Sequence, residues 1–174
     1  MSEKASESDL AYIAAQLGRT PRDVHAIAHR CPCGAPTVVE TKARLADGTP
    51  FPTFFYATCP RLTSAISTLE NGSMMSEMNQ RLATDAELAG AYRAAHVDYL
   101  AARAATGEIV PEIADTSAGG MPDRVKCLHS LVAHSLATGE GVNPLGDEAL
   151  AQLPQWWRNA PCSQAKLESD GEAR

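Results

Sequence analysis

Five cysteines are the residues in this chain whose type and spacing first suggest chemistry. Cys31 and Cys33 flank a proline in "RCPCGAP", Cys59 directly precedes Pro60, Cys127 stands among basic and apolar residues in "RVKCLHSLVAH", and Cys162 lies near the end. Thiolates ligate soft or borderline metals and act as nucleophiles, and an odd number of them without secretory features argues against a disulfide framework. Cys31, Cys59 and Cys127 are the candidate metal ligands, with Cys33 able to join them. Zinc is the expected ion, since it takes tetrahedral sulfur and nitrogen donors, and an iron–sulfur cluster is the alternative. Two metal-free readings stand beside these: a reactive thiol, or cysteines that simply fill the core as small apolar residues.

The elements that must bring these thiols together can be read from the pattern. "TVVETKARLADGTPFPTFFYAT" holds two β-rich runs around Asp47-Gly48, a turn signal, with Pro50 and Pro52 delaying the second run. A turn there places Cys59 opposite Pro36, beside the Gly34 bend that carries Cys31 and Cys33. Cys59 then sits at a helix start, where free amides favour a thiolate. A fourth ligand would come from Cys127, His129 or His134 on a helix expected to begin near Pro122. On that helix Val125, Leu128, Val132 and Leu136 form the apolar face, with His129 about 40° from its centre and so expected to be packed. Cys127 and His134 share the opposite face, about 10 Å apart along the axis. Cys127 is therefore the ligand, and His134 the acid–base candidate that would make the site catalytic.

Two further stretches have chemical possibilities. "TSAGGMPDR" runs a glycine loop into an expected helix start, so free amides with Gly119, Gly120, Arg124 and Lys126 could hold a phosphate or carboxylate. "LGRTPRDVHAIAHR" has the order of a helix-turn-helix, with Thr20 as cap, Pro21 in the first turn, and Arg19, Arg22, His25 and Arg30 as a positive edge. Composition weighs against that second option: the net charge is −6, so nucleic acid is disfavoured as a partner. His25, His29 and His96 read as surface or core-edge residues.

The rest of the chain describes a scaffold. Its 174 residues suit one domain, 44% are hydrophobic, and only 5% are aromatic, which leaves alanine and leucine to fill a largely helical interior. Helical stripes run through Leu62, Ile66 and Leu69, through Met74, Met75, Met78 and Leu82, and through Leu88, Tyr92, Ala95 and Tyr99 after a capping box at Thr84 to Glu87. The expected architecture is mainly α (α+β), a single-domain helical bundle with one small irregular β-hairpin. Residues 1–8 and 161–174 are polar and expected to be mobile around a domain at 9–160. No run approaches the roughly 20 apolar residues of a membrane span, and the acidic N-terminus lacks signal-peptide order, so a cytoplasmic place is expected.

"RCPCGAP", "DGTPFPTFFYATCPRL", "SAGGMPDRVKCLHSLVAH" and "GVNPLGDEAL" together resemble the bacterial domain-of-unknown-function family numbered 501, of actinobacterial type, over roughly Asp9 to Leu150. The resemblance implies no activity. It does imply that Cys31 matches a Cys-Pro-x-Gly motif whose third position is free, making Cys33 an addition of this chain. Function is thus left between a metal-dependent or redox enzyme acting on a small anionic ligand and a non-catalytic, metal-stapled module that binds a protein partner.

Overall fold

The computed structural model describes residues 2–158. Cys162 and the expected mobile tail at 161–174 lie outside the described residues. Helix α1 (Glu7–Leu17) opens with a capping box, Ser6 and Asp9 each satisfying the other's backbone amide, and closes on Gly18 at φ 65°. The residues before it are tied down: Glu3 and Ile27 exchange backbone hydrogen bonds of 3.0 and 2.7 Å, where residues 1–8 were expected to be mobile. Arg30 grips Asp9 with two bonds of 2.8 and 3.0 Å, joining α1 to the sheet.

That sheet has three antiparallel strands in the order β1 (Val24–Arg30), β2 (Pro36–Thr41) and β3 (Phe55–Ala57). The β2–β3 pair follows the hairpin expectation, Val38 facing Ala57 and Glu40 facing Phe55, with β3 short and late as Pro50 and Pro52 require. Strand β1 corrects the sequence reading, which made it a helix. Asp23 adopts φ 41°, incompatible with a helix start, and its carboxylate accepts the Ala46 amide at 2.8 Å. Register shifts along β1 then break the two-residue alternation that would have marked a strand. The helix-turn-helix is thereby excluded, and Arg30, its expected positive edge, is paired with Asp9 and Glu3.

Helices α2 (Pro60–Glu70), α3 (Met74–Thr84) and α4 (Ala86–Ala104) follow. Their expected stripes reach the main core through Leu62, Ile66, Met78, Tyr92, Ala95 and Tyr99, all at 0% exposure. Asp85, one residue past the expected cap, caps α4 by accepting the Leu88 amide at 3.0 Å. The long loop after α4 is anchored from inside. Buried Arg103 donates to the carbonyls of Pro52, Thr116 and Ile113, which satisfies a cation that has no carboxylate partner in these bonds. Helix α5 (Leu128–Thr138) packs against α2, β3 and α6 (Pro144–Gln152), and it begins six residues later than the sequence suggests. Ahead of it, residues 122–126 are held in turns and loop, with the Asn79 side chain both accepting from and donating to the Val125 backbone at 2.8 and 3.0 Å. Among the described residues, no helix is long and apolar enough to cross a membrane.

Candidate functional site

Because α5 starts late, Cys127 occupies its N-cap in an extended conformation (φ −154°, ψ 116°), and His129 falls in the first turn. Glu70 reaches them from the last residue of α2. One of its oxygens accepts the Leu128 amide at 2.6 Å and His129 Nδ1 at 3.1 Å. His129 Nε2 lies 3.2 Å from the Thr63 carbonyl oxygen. A carbonyl can only accept, so Nε2 carries a hydrogen, and Nδ1 is the nitrogen turned toward carboxylate and thiol. One ligand atom each from Glu70, Cys127 and His129 lies within 4.8 Å of the other two, and all three residues are half-buried.

His129 is favoured as a cation by both of its neighbours, whereas Glu70 and the Cys127 thiolate repel each other. Its hydrogen bond with Cys127 lifts the His129 imidazole most, burial opposes, Glu70 adds to the lift, and the outcome is pushed up to about 9. For the Cys127 thiol burial is the largest influence and acts upward. His129 and the Ser130 amide together outweigh it, and the net shift is downward.

An open cleft of about 470 Å³ adjoins the group, its wall formed in part by Gln16 of α1, Phe55 and Thr58 near β3, Thr63 of α2, and His129 and Ser130 of α5. Ser130 also places its hydroxyl 3.9 Å from Cys127 Sγ, so the cleft and the thiol share a border.

Of the four candidate thiols, all among the described residues, Cys127 alone belongs to this group. Cys31 and Cys59 are 3% and 0% exposed in the main apolar core, and Cys33 packs partly buried against it. Cys59 does occupy the N-cap position of α2 next to Pro60, with no side-chain capping hydrogen bond. However, the eleven residues of α2 separate its backbone from that of Glu70 by about 16 Å.

His134 requires a correction, since Cys127 precedes α5 and the two share no helix face. His134 is 0% exposed, stacked on Phe55 at 5.5 Å and edge-on to Tyr99 at 5.2 Å. Its Nε2 lies 2.9 Å from the Asp98 carboxylate and its Nδ1 3.2 Å from Asn143 Nδ2. The expected anion loop is closed on itself. The Met121, Arg124 and Lys126 amides donate to the carbonyls of Ala118, Gly120 and Gly119, at 3.3, 3.2 and 2.7 Å. A Cβ on Gly119 would come within 2.9 Å of Leu131, and one on Gly120 within 2.6 Å of the Arg124 carbonyl, so both glycines permit tight packing. The Arg124 and Lys126 residues are exposed beside it.

Glu70 escaped the sequence reading, and His129, weighed there as a fourth ligand, was set aside as a packed residue. His129 was placed near the apolar face by a helix begun too early; the signal that finds it is Cys-x-His at a helix N-terminus. Glu70 ends an amphipathic helix and carries no local signal. Comparison with curated proteins and with solved structures finds no match. The family described as "Protein of unknown function (DUF501)" does match, over residues 27–151, a span that takes in Glu70, Cys127, His129 and most of the cleft, and the chain belongs to that family.

Proposed function

We propose that Glu70, Cys127 and His129 bind a zinc-type divalent cation, and that the protein is a metal-dependent enzyme acting on a small molecule in the adjoining cleft. The observation that carries this reading is the convergence of one sulfur, one nitrogen and one oxygen donor from two helices. A mixed donor set of this kind suits zinc, whereas an iron–sulfur cluster calls for more thiolates than the group supplies. The Thr63 carbonyl supports it further, because a ligating histidine ordinarily donates its second N–H to such an acceptor, which keeps Nδ1 aimed at the ion. Three protein ligands leave a fourth position for water or substrate, the arrangement of catalytic rather than structural zinc. There the ion would activate a bound water or polarise a carbonyl.

Cobalt substitution tests this. Metal-free protein titrated with Co²⁺ should develop thiolate-to-cobalt absorption that Cys127→Ser abolishes, and azide should alter the visible bands if the fourth position is open. Cobalt bands insensitive to azide would favour the metal-stapled interaction module. A second reading, a nucleophilic thiol, is favoured by the place of Cys127 at the N-cap of α5 beside His129. Absent cobalt bands together with fast, selective alkylation of Cys127 by iodoacetamide would establish that reading instead.

A further inference from the structure

Strand β3 ends the β1-β2-β3 order, so among the described residues one of its edges has no strand beside it. The cleft runs along that edge. Successive side chains of a strand point to opposite faces, yet Phe55, Tyr56 and Ala57 all line the cleft, so it follows the backbone rather than one face. Tyr56 packs on the Ile13, Ile27 and Val39 cluster under α1, and Phe55 stacks on His134 of α5, so the cleft walls come from helices on the two faces. The phase of the ladder decides which backbone groups turn outward. The Thr41 amide donates to the Phe54 carbonyl and the Thr58 amide to the Thr37 carbonyl, both at 2.9 Å, with Tyr56 facing Val39 midway between them. Bonded residues alternate along an antiparallel strand, so Tyr56 and Thr58 bond inward to β2 while Phe55 and Ala57 turn to the open edge. The Phe55 amide accordingly reaches the Tyr99 hydroxyl of α4 at 3.2 Å, which also takes the Phe54 amide where the ladder ends. Ala57, half-buried in the cleft wall, thus offers its N–H and its carbonyl along the cleft.

We propose that the cleft takes a short peptide in extended conformation, which adds to the open edge of β3 through paired hydrogen bonds with Ala57 and brings a peptide carbonyl to the Glu70, Cys127 and His129 group. This names the substrate class of the enzyme reading. It rests on that reading for the carbonyl contact, whereas the backbone pairing stands on strand geometry alone. A strand edge is complementary to another main chain, because each presents a donor and an acceptor once in every two residues, and the guest side chains then fall alternately toward the two walls. Length agrees with this occupant. β3 has three residues, about 10 Å of strand, and a cleft of about 470 Å³ has room for about three small residues. The hydroxyls of Thr58, Thr63 and Ser130 in the same cleft can meet the remaining amide groups of the guest.

The probe is acetyl-trialanine N-methylamide, offered to the zinc-loaded full chain beside three analogues, each N-methylated at one of the three alanines. Only alternate amides of a guest strand face its partner. Methylation should therefore weaken binding roughly tenfold either at the central alanine or at both outer ones, and leave the remaining positions unchanged, as read from NMR titrations. Hydrogen exchange of the Ala57 amide should slow in the complex. Ala57→Pro removes the outward donor at an edge position that proline tolerates, so this variant should bind the parent peptide at least tenfold more weakly. If it fails to fold, the methylation series on the unaltered protein decides. No binding, equal effects of methylation at all three positions, or an Ala57 exchange rate unchanged by peptide overturns the proposal. The cobalt spectrum of peptide-free protein reports on the metal reading alone. Cobalt bands without the alternation sink the peptide proposal and leave the metal centre. Alternation in protein that develops no cobalt bands sinks the metal centre and supports the pairing at β3.

Discussion

Helix α5 holds two histidines five residues apart, each beside a carboxylate, yet their surroundings are opposite in kind. His129 sits at the edge of a cleft with 29% of its side chain exposed, and a thiol and a carboxylate converge with one of its nitrogens. His134 is sealed, and every polar edge it has is assigned. The Asn143 oxygen is taken by the Gly146 amide at 3.0 Å, so Asn143 Nδ2 must donate to His134 Nδ1 and His134 Nε2–H must donate to Asp98. A histidine matched on both nitrogens by fixed partners in a closed space is part of the core. One whose nitrogen is aimed at other donor side chains, at a border open to solvent, is available for chemistry.

Removing each histidine's setting should separate the two roles. His134→Leu leaves the Asn143 amide without its acceptor and disturbs the stack with Phe55 and Tyr99, so urea unfolding should show a loss of about 3 kcal/mol. Zinc affinity per folded molecule should not change. Retained stability with lost zinc would reverse the assignment of the two residues.

At the other region the effects should fall on the ion. Cys127→Ser should weaken zinc binding by on the order of a hundredfold, measured by competition with a chelator, while unfolding free energy of the metal-free protein moves by less than about 1 kcal/mol. Glu70→Gln should weaken it less, about tenfold, because an amide oxygen still ligates weakly and can still accept the Leu128 amide. Cys59→Ala supplies the contrast: a wholly buried core residue, it should lower stability by about 1–2 kcal/mol and leave zinc affinity alone. Equal zinc loss in all three variants would mean that the core thiols participate after all.

What the sequence disclosed follows local rules, and what it hid depends on distant contacts. The register of β2 against β3 was legible because Asp47-Gly48 names the turn and the two prolines limit the return strand. The stripe through Tyr92, Ala95 and Tyr99 was legible because α4 is long and regular. β1 was not, since its pairing is bulged and its composition of alanine, histidine and isoleucine suits a helix equally well. Nor was the start of α5, which is set by Asn79, 46 residues away from the Val125 backbone it holds. That single shift moved Cys127 off the helix and exchanged the roles of His129 and His134.

The finest test uses protons, in metal-free protein. His129 should titrate near 9 and His134 below the ordinary histidine value of 6.5, two rings on one helix moving apart, as read from their ring-proton NMR shifts. For His134 burial pushes the value down and outweighs the upward pull of Asp98 and Asp147. Its folded value then lies below its unfolded one, and the unfolded chain binds more protons in between, so stability falls as pH drops below 6.5 toward the folded value. His134→Leu should flatten that part of the profile. His129 acts in the opposite sense: its raised value favours the folded state at lower pH, and that contribution is lost as pH rises from 6.5 toward 9, while the lowered Cys127 thiol pulls the other way. The two groups titrate as a pair with opposing effects on stability, so the ring shifts report the His129 midpoint more directly than unfolding does. Cys127→Ser removes the largest cause of the lift, so the His129 midpoint should fall. A midpoint that stays near 9 in that variant would show that Glu70 alone holds the charge, and would remove the thiol from the group.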